Sequence, residues 1–431
     1  MTAAEREPVD QIRRHLEQEE DARLAPWALR SEHARRAVTL DREGRVFDYR
    51  TEFQRDRDRI LHARAFRRLR LKSAGGALPP EERYRDRLTH SLALSQLSRT
   101  VARGLGLNED LVEAIALGHE LGTPPFARHG VAALDAVMRK AGGFRVSEQS
   151  LRVVDRLEKR YPHPGLNLTD AVREGILKQE GASGGPGELH PEWPPLFEAQ
   201  VVAALEPAVS AIEDLDDGLR AQEVDLESVE RLAVVRLLER RLAGPATGAP
   251  GRRRAGRAAL HRRADTIHRG LSHMLVTGII HASRRNLRAW ARAHQVDTPA
   301  AFRAARERVA ASTIGLTPAA ARMYDALDDF VRRRLHQGGA HSAVGLRARR
   351  IVQGLFQVLC EEPRVVDDYV LLRFREETRG RYLRDVAPAE IETEIARRYR
   401  GNPVFARLVA DHIAGMTDPF AVAEHERMVQ P

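Results

Sequence analysis

Three side chains able to hold a metal ion fall in one stretch of the sequence: His90, His119 and Glu120, within RLTHSLALSQLSRTVARGLGLNEDLVEAIALGHELGTPPFARHGV (87–131). Imidazole nitrogens and carboxylate oxygens suit a hard or borderline divalent cation. Such an ion lowers the pKa of water toward neutrality and polarises a phosphoryl oxygen. Cys360 is the sole cysteine, so an intrachain disulfide and a thiolate-rich zinc site are both excluded. Any metal must rest on histidines and carboxylates.

The spacing around these residues requires two antiparallel helices. Leu94, Leu97, Val101 and Leu105 repeat at helical intervals, Asn108 suits an N-cap, and Leu111 and Ile115 continue one face toward His119. Pro124-Pro125 must end the second helix just after the His-Glu pair, because proline lacks the amide donor and restricts the residue before it. His90 therefore belongs at one helix start, and His119-Glu120 at the next helix end.

The rest of the chain bounds the setting. It has 431 residues, 42% of them hydrophobic, enough for a sizeable core in one or two domains. The formal charge is +9, and only Lys72, Lys140, Lys159 and Lys178 are lysines, so the positive charge is carried by arginine. Arginine suits phosphate-bearing partners, although a solvated arginine-rich surface has the same composition. The N-terminal MTAAEREPVDQIRRHLEQEED has no apolar core of a signal peptide, and no run approaches the roughly 18 to 20 apolar residues of a membrane span. A cytoplasmic protein with no membrane partner is expected.

Helical periodicity recurs over 52–70, 148–160, 169–178, 197–220, 267–294, 300–312, 318–335, 346–360, 365–375, 388–399 and 403–414, without a convincing alternating strand. The fold class is all-α. A turn is expected at Arg42-Glu43-Gly44, a loop over Ser73–Glu82, and a basic flexible linker over 243–258, AGPATGAPGRRRAGRA. The expected division is an N-terminal segment 1–50, a core domain 51–242, the linker 243–258 and a helical C-terminal region 259–431 packed on the core. The cluster Arg252-Arg253-Arg254 with Arg257, Arg262 and Arg263 could meet a polyanion or only solvent.

The 87–131 stretch resembles the HD-domain deoxyguanosine triphosphate triphosphohydrolases, whose pattern reads R-L-T-H-S and then G-H-D-L-G-H-P-P-F-G-H-x-G-E. The likeness extends to TEFQRDRDRILHARAFRRLRLKS (51–73), GGFRVSEQSLRVVDRLEKRYPHPGLNLTDAVREGILK (142–178), FEAQVV (197–202) and VADHIAGMTDPFAVAEHERM (409–428). It implies an HD-domain helical bundle with a helical C-terminal extension. It also implies hydrolysis of a deoxynucleoside triphosphate to deoxynucleoside and triphosphate at a divalent metal, Mg2+ or Mn2+.

Carried over position by position, the implied metal ligands are His90, His119, Glu120 in place of an aspartate, and Glu206 in place of the distant aspartate. Pro207 follows Glu206 directly inside the expected helix, where it removes a backbone donor, disfavours helical backbone at Glu206 and is expected to misaim that ligand. The implied substrate contacts are Arg87 toward the triphosphate, Asp214 toward the sugar 3′-hydroxyl, and Lys72. Ala74 stands where the family has a sugar-contacting glutamine, Ser210 where it has a tyrosine, and Val146-Ser147 where it has H-N. The acid-base positions read Thr123, Arg128 and Val131 instead of His, His and Glu, with His129 one residue from the lost histidine.

Two readings follow. One is a triphosphohydrolase; the other is an impaired relative that binds nucleotide or nucleic acid as a regulatory or structural subunit. The resemblance further implies a homo-oligomer, of hexamer size in the family, and contact with single-stranded DNA.

Overall fold

The computed structural model describes residues 3–38, 48–74, 84–181, 186–242 and 257–429. Among them the elements are helices, α-helical with short 3-10 and π turns, and the only β-type pairing is isolated bridges such as Ser73 with Asp86. The expected all-α class is what the chain adopts. The turn at 42–44, nearly all of the loop at 73–82 and the arginines 252–254 lie outside the described residues.

The helix Arg87–Leu105 starts where the Asp86 side chain accepts from the Thr89 amide, and ends at Gly106, whose φ of 69° is left-handed. A side chain at Gly106 would be strained in that conformation and would also meet Ala25 Cβ at 3.1 Å. The chain turns immediately. Asn108 then caps Glu109–Gly118 by accepting from the Leu111 amide, as its residue type suggests. Leu94, Val101, Leu111, Val112 and Ile115 are buried between these helices.

Across both runs the 24-residue helix Phe197–Arg220, burying Val201, Val202, Leu205, Val209, Ile212 and Leu215. The helix is continuous through Pro207, as the spacing over 197–220 leads one to expect, even though proline disfavours helical backbone at Glu206. An interior proline costs about 3 kcal/mol. Pro207 is exposed while its neighbours Leu205, Ala208 and Val209 are buried, so packing of the helix flanks offsets that cost.

Two hydrophobic clusters result. The first takes in the helices above together with Ala233–Leu242 and Arg257–Ala293, where Val235, Leu238, Ile267 and Leu271 share one core. The helices on either side of the 243–256 stretch thus pack together. The second cluster joins Ala127–Met138 to Gly339–Glu361, Asp368–Thr378 and Pro403–Ala414, through Leu134, Met138, Leu355, Phe374, Phe405 and Ile413.

The clusters meet at the Pro124-Pro125 turn. Phe126, fully buried, has a φ of 66°, unusual outside glycine. Its amide donates to Asp418 Oδ1 at 2.9 Å, and the other Asp418 oxygen accepts from the Ser73 amide and hydroxyl at 3.0 and 2.7 Å. One buried carboxylate near the C-terminus thus ties together the two segments that flank His90 and His119.

Candidate metal centre

Helix ends place the ligands. His90 lies in the first turn of Arg87–Leu105 and is 1% exposed. Its Nδ1 donates to Glu213 Oε2 at 2.7 Å, which leaves Nε2 as the free ring nitrogen. His119 is the C-cap of Glu109–Gly118, and its Nδ1 donates to the Ala116 carbonyl at 2.7 Å. Both imidazoles therefore present Nε2 to the same space, with ring centroids 6.5 Å apart.

The turn carrying His119 and Glu120 is fixed from behind. Ser150 Oγ donates to the His119 carbonyl at 2.7 Å and accepts from the Gly122 amide at 2.9 Å. A Cβ at Gly122 would fall 2.3 Å from the Ser150 nitrogen, so only glycine permits this approach.

One ligating atom from each of His90, His119 and Glu120 lies within 4.8 Å of the other two, and all three residues are buried. His90 Nε2, His119 Nε2 and Glu120 Oε2 have no hydrogen-bond partner. Burying polar atoms without partners is costly, and three converging on one point, all capable of donating lone pairs, are what a cation requires. The residues present fit a divalent metal.

Glu206 stands beside this group. It is 31% exposed on its side chain, with Oε1 3.9 Å from His90 Nε2. It faces the site but does not join the close group of three. The helix runs unbroken through Pro207 at this point.

Charge follows the geometry. Burial lowers the His90 pKa, but the Glu213 bond and the charges of Glu213 and Glu120 outweigh it and the net shift is upward. For His119 burial prevails over the attraction of Glu120 and Glu206, and its pKa falls. For Glu120 burial opposes ionisation, yet the charges of Arg87, His119 and His90 hold its pKa below the usual carboxylate range.

The remaining expected positions divide. Arg87 donates to Glu120 Oε1 at 2.8 Å and to the Ala74 carbonyl at 2.9 Å, so it braces a candidate ligand as well as adding positive charge. Asp214 pairs with His336 Nε2 at 2.9 Å, and is held ionised against burial by His336, Arg128 and Arg87 in turn. Arg128, its pKa pulled down mainly by burial, feels both Asp214 and Arg87 and so belongs to the same charged cluster.

Lys72 is only 2% exposed. Its buried ammonium donates to the Thr123 and Ala414 carbonyls, and burial lowers its pKa to about 7. Thr123 Oγ1 is buried with no partner. Val131 packs against the second hydrophobic cluster. The His129 ring lies against Gly345, where a Cβ would come within 2.8 Å of it, so this histidine packs against the Gly339–Glu361 helix.

Sequence reasoning missed Glu213, His336 and Asp418. The first had a signal: Glu213 lies seven residues beyond Glu206, two helical turns along the same face. The other two had none, because each reaches its partner across more than a hundred residues.

Comparison with known proteins agrees with this arrangement. Residues 87–207 match the HD domain, and residues 381–427 match the phosphohydrolase-associated domain. A deoxyguanosinetriphosphate triphosphohydrolase-like protein of Ralstonia nicotianae is 35% identical over 415 residues, 95% of each chain. Proteins of the same name from Parvibaculum lavamentivorans and Thiobacillus denitrificans are 33% and 35% identical, covering 94% of this chain and 96% and 97% of theirs. With such likeness over nearly its whole length, and the HD match running from Arg87 to Pro207, the chain belongs to the HD-domain deoxyguanosinetriphosphate triphosphohydrolase-like family.

Proposed function

We propose that this protein is a metal-dependent hydrolase of deoxynucleoside triphosphates, releasing deoxynucleoside and triphosphate. The observation that carries the reading is the convergence of the unpartnered, buried His90 Nε2, His119 Nε2 and Glu120 Oε2 next to Arg87. Mg2+ or Mn2+ suits a set of imidazole and carboxylate donors, with Glu206 as a further donor from the solvent side.

When bound, such an ion supplies Lewis-acid chemistry to a phosphoryl oxygen and favours ionisation of water. The chain's own residues do the rest. Glu213 and the Ala116 carbonyl hold the two imidazoles with Nε2 inward. Arg87 and Arg128 set positive charge where the phosphate oxygens would lie, a role that guanidinium groups perform with paired hydrogen bonds. Asp214, kept ionised, remains an acceptor for a sugar hydroxyl. Water would attack the α-phosphorus, the bond from that phosphorus to the 5′ oxygen would break, and a proton would pass to the departing oxygen.

A second reading has its own observation. Thr123, Arg128 and Val131 offer no acid-base group, and Val131 is committed to packing against the second cluster. Proton transfer by a placed side chain typically contributes about a hundred- to ten-thousand-fold, so this supports a binding protein of slow turnover. The test incubates purified protein with each deoxynucleoside triphosphate and Mn2+ or Mg2+, and separates products by chromatography. Deoxynucleoside and triphosphate in equal amounts above a metal-free control support the hydrolase. Nucleotide binding without product supports the second reading.

A further inference from the structure

A cavity of about 280 Å³ lies on the far side of the turn that carries His119 and Glu120, lined there by Leu121 and Gly122. None of His90, His119, Glu120, Glu206 or Arg87 lines it, although Lys72, an implied substrate contact, does. Its other walls come from the Arg64–Arg68 helix, from 149–159 and from the C-terminal region at 369–373 and 408–415.

The lining is rich in donors and poor in free acceptors. Arg64, Arg68, Lys159 and Arg373 all contribute, and among the described residues no carboxylate forms an ion pair with any of them. Arg68 and Arg373 each donate to a backbone carbonyl, of Gly415 and Leu157, which holds the side chain without neutralising its charge. Gln149, 1% exposed, also lines the cavity, and its Nε2 has no partner.

The two acids in the wall are already engaged. Glu158 accepts from the Ala65 amide at 2.8 Å, and Asp411 is paired with Arg152 and, at 3.3 Å, with Arg407. Four cations without ion-pair partners, three of them at exposed positions, and one orphaned buried amide donor around a single concavity suit a ligand that offers many acceptors and several negative charges in a small volume. Oligophosphates meet that description, and arginine is the side chain that binds them bidentately.

We propose that this cavity is a binding site for an oligophosphate, separate from the metal centre. The ligand is either free inorganic oligophosphate or the phosphate tail of a nucleotide. The inference does not depend on whether the metal centre turns over its substrate.

The test titrates the full-length protein, with a chelator present, by calorimetry with inorganic triphosphate and separately with ATP. The Arg68→Ser, Arg373→Ser double variant should weaken triphosphate binding at least tenfold, while Arg87→Ser, in the metal centre, should leave that binding event in place. Circular dichroism and melting temperature check folding. If the double variant fails to fold, Arg64→Glu with Lys159→Glu, both at exposed positions, should give the same loss. Tighter binding of ATP assigns the site to nucleotides, and equal or weaker binding assigns it to free oligophosphate. Absence of binding, loss only in Arg87→Ser, or equal displacement by sulfate at matched ionic strength would overturn the proposal.

Discussion

Glu213 Oε2 accepts a hydrogen bond from His90 Nδ1 at 2.7 Å, both groups being buried. The carboxylate selects the ring tautomer and fixes the plane in which Nε2 points at His119 and Glu120. Carboxylate partners of this kind typically contribute ten- to a hundredfold to metal affinity. Glu213→Leu is therefore expected to weaken Mn2+ binding by about that factor, measured by calorimetry. Glu213→Gln, which can still accept from Nδ1, should lose less. Equal affinity in all three proteins would reduce Glu213 to a packing residue.

The metal shell and the acid-base positions should separate by mutation. Restoring Thr123→His, Arg128→His and Val131→Glu together is expected to raise hydrolysis by orders of magnitude with little change in metal affinity. Single changes should do almost nothing, because groups of one catalytic unit are strongly non-additive. Val131 packs against the second cluster, so the triple variant should also lose about 1–3 kcal/mol of stability, the usual cost of a polar group placed where it lacks partners. A variant that binds metal and still forms no deoxynucleoside would show that the missing groups are not the cause.

Gly122→Ala is expected to damage the site without touching a ligand. The added methyl would lie 2.3 Å from the Ser150 nitrogen and 2.6 Å from the Gln149 carbonyl carbon, both backbone atoms that cannot step aside. The Ser150 bonds to His119 and Gly122 should break. A melting temperature lowered by several degrees, together with weaker Mn2+ binding, is the expected pair of readings; wild-type values for both would refute the packing argument.

Glu198 provides a pH dependence away from the metal. Burial raises its pKa to about 7, against backbone hydrogen bonds from Leu29 and Asn108 that pull it down. A carboxyl whose folded pKa exceeds its unfolded value binds more protons in the native state between its ordinary value of 4.5 and about 7. Stability contributed by this group therefore falls as pH rises through that window. Glu198→Gln should flatten the decline, gaining on the wild type at pH 8 by an amount on the order of 3 kcal/mol and little at pH 5. Thermal unfolding at the two pH values measures it, and a gain equal at both would contradict the sign.

Much could be read before any coordinates. Local rules placed the helices: the 3.6-residue repeat of Leu94 to Leu105, the Asn108 cap and the Pro124-Pro125 stop depend on neighbours within one or two turns, and the chain obeys them. His90, His119 and Glu120 could be proposed as ligands because their helix-end positions follow from those same rules. What needed three dimensions were relations whose energy comes from distant partners. Helix packing carries the Phe197–Arg220 helix through Pro207, overriding a local penalty of a few kcal/mol. Glu213 meets His90 across 123 residues and Asp418 meets Phe126 across 292, so no window of sequence contains either pair. Lys72 is implied as a substrate contact, yet the fold buries its ammonium between two backbone carbonyls. Residue type sets what a side chain can bond; where the long-range core closes decides which partner it finds.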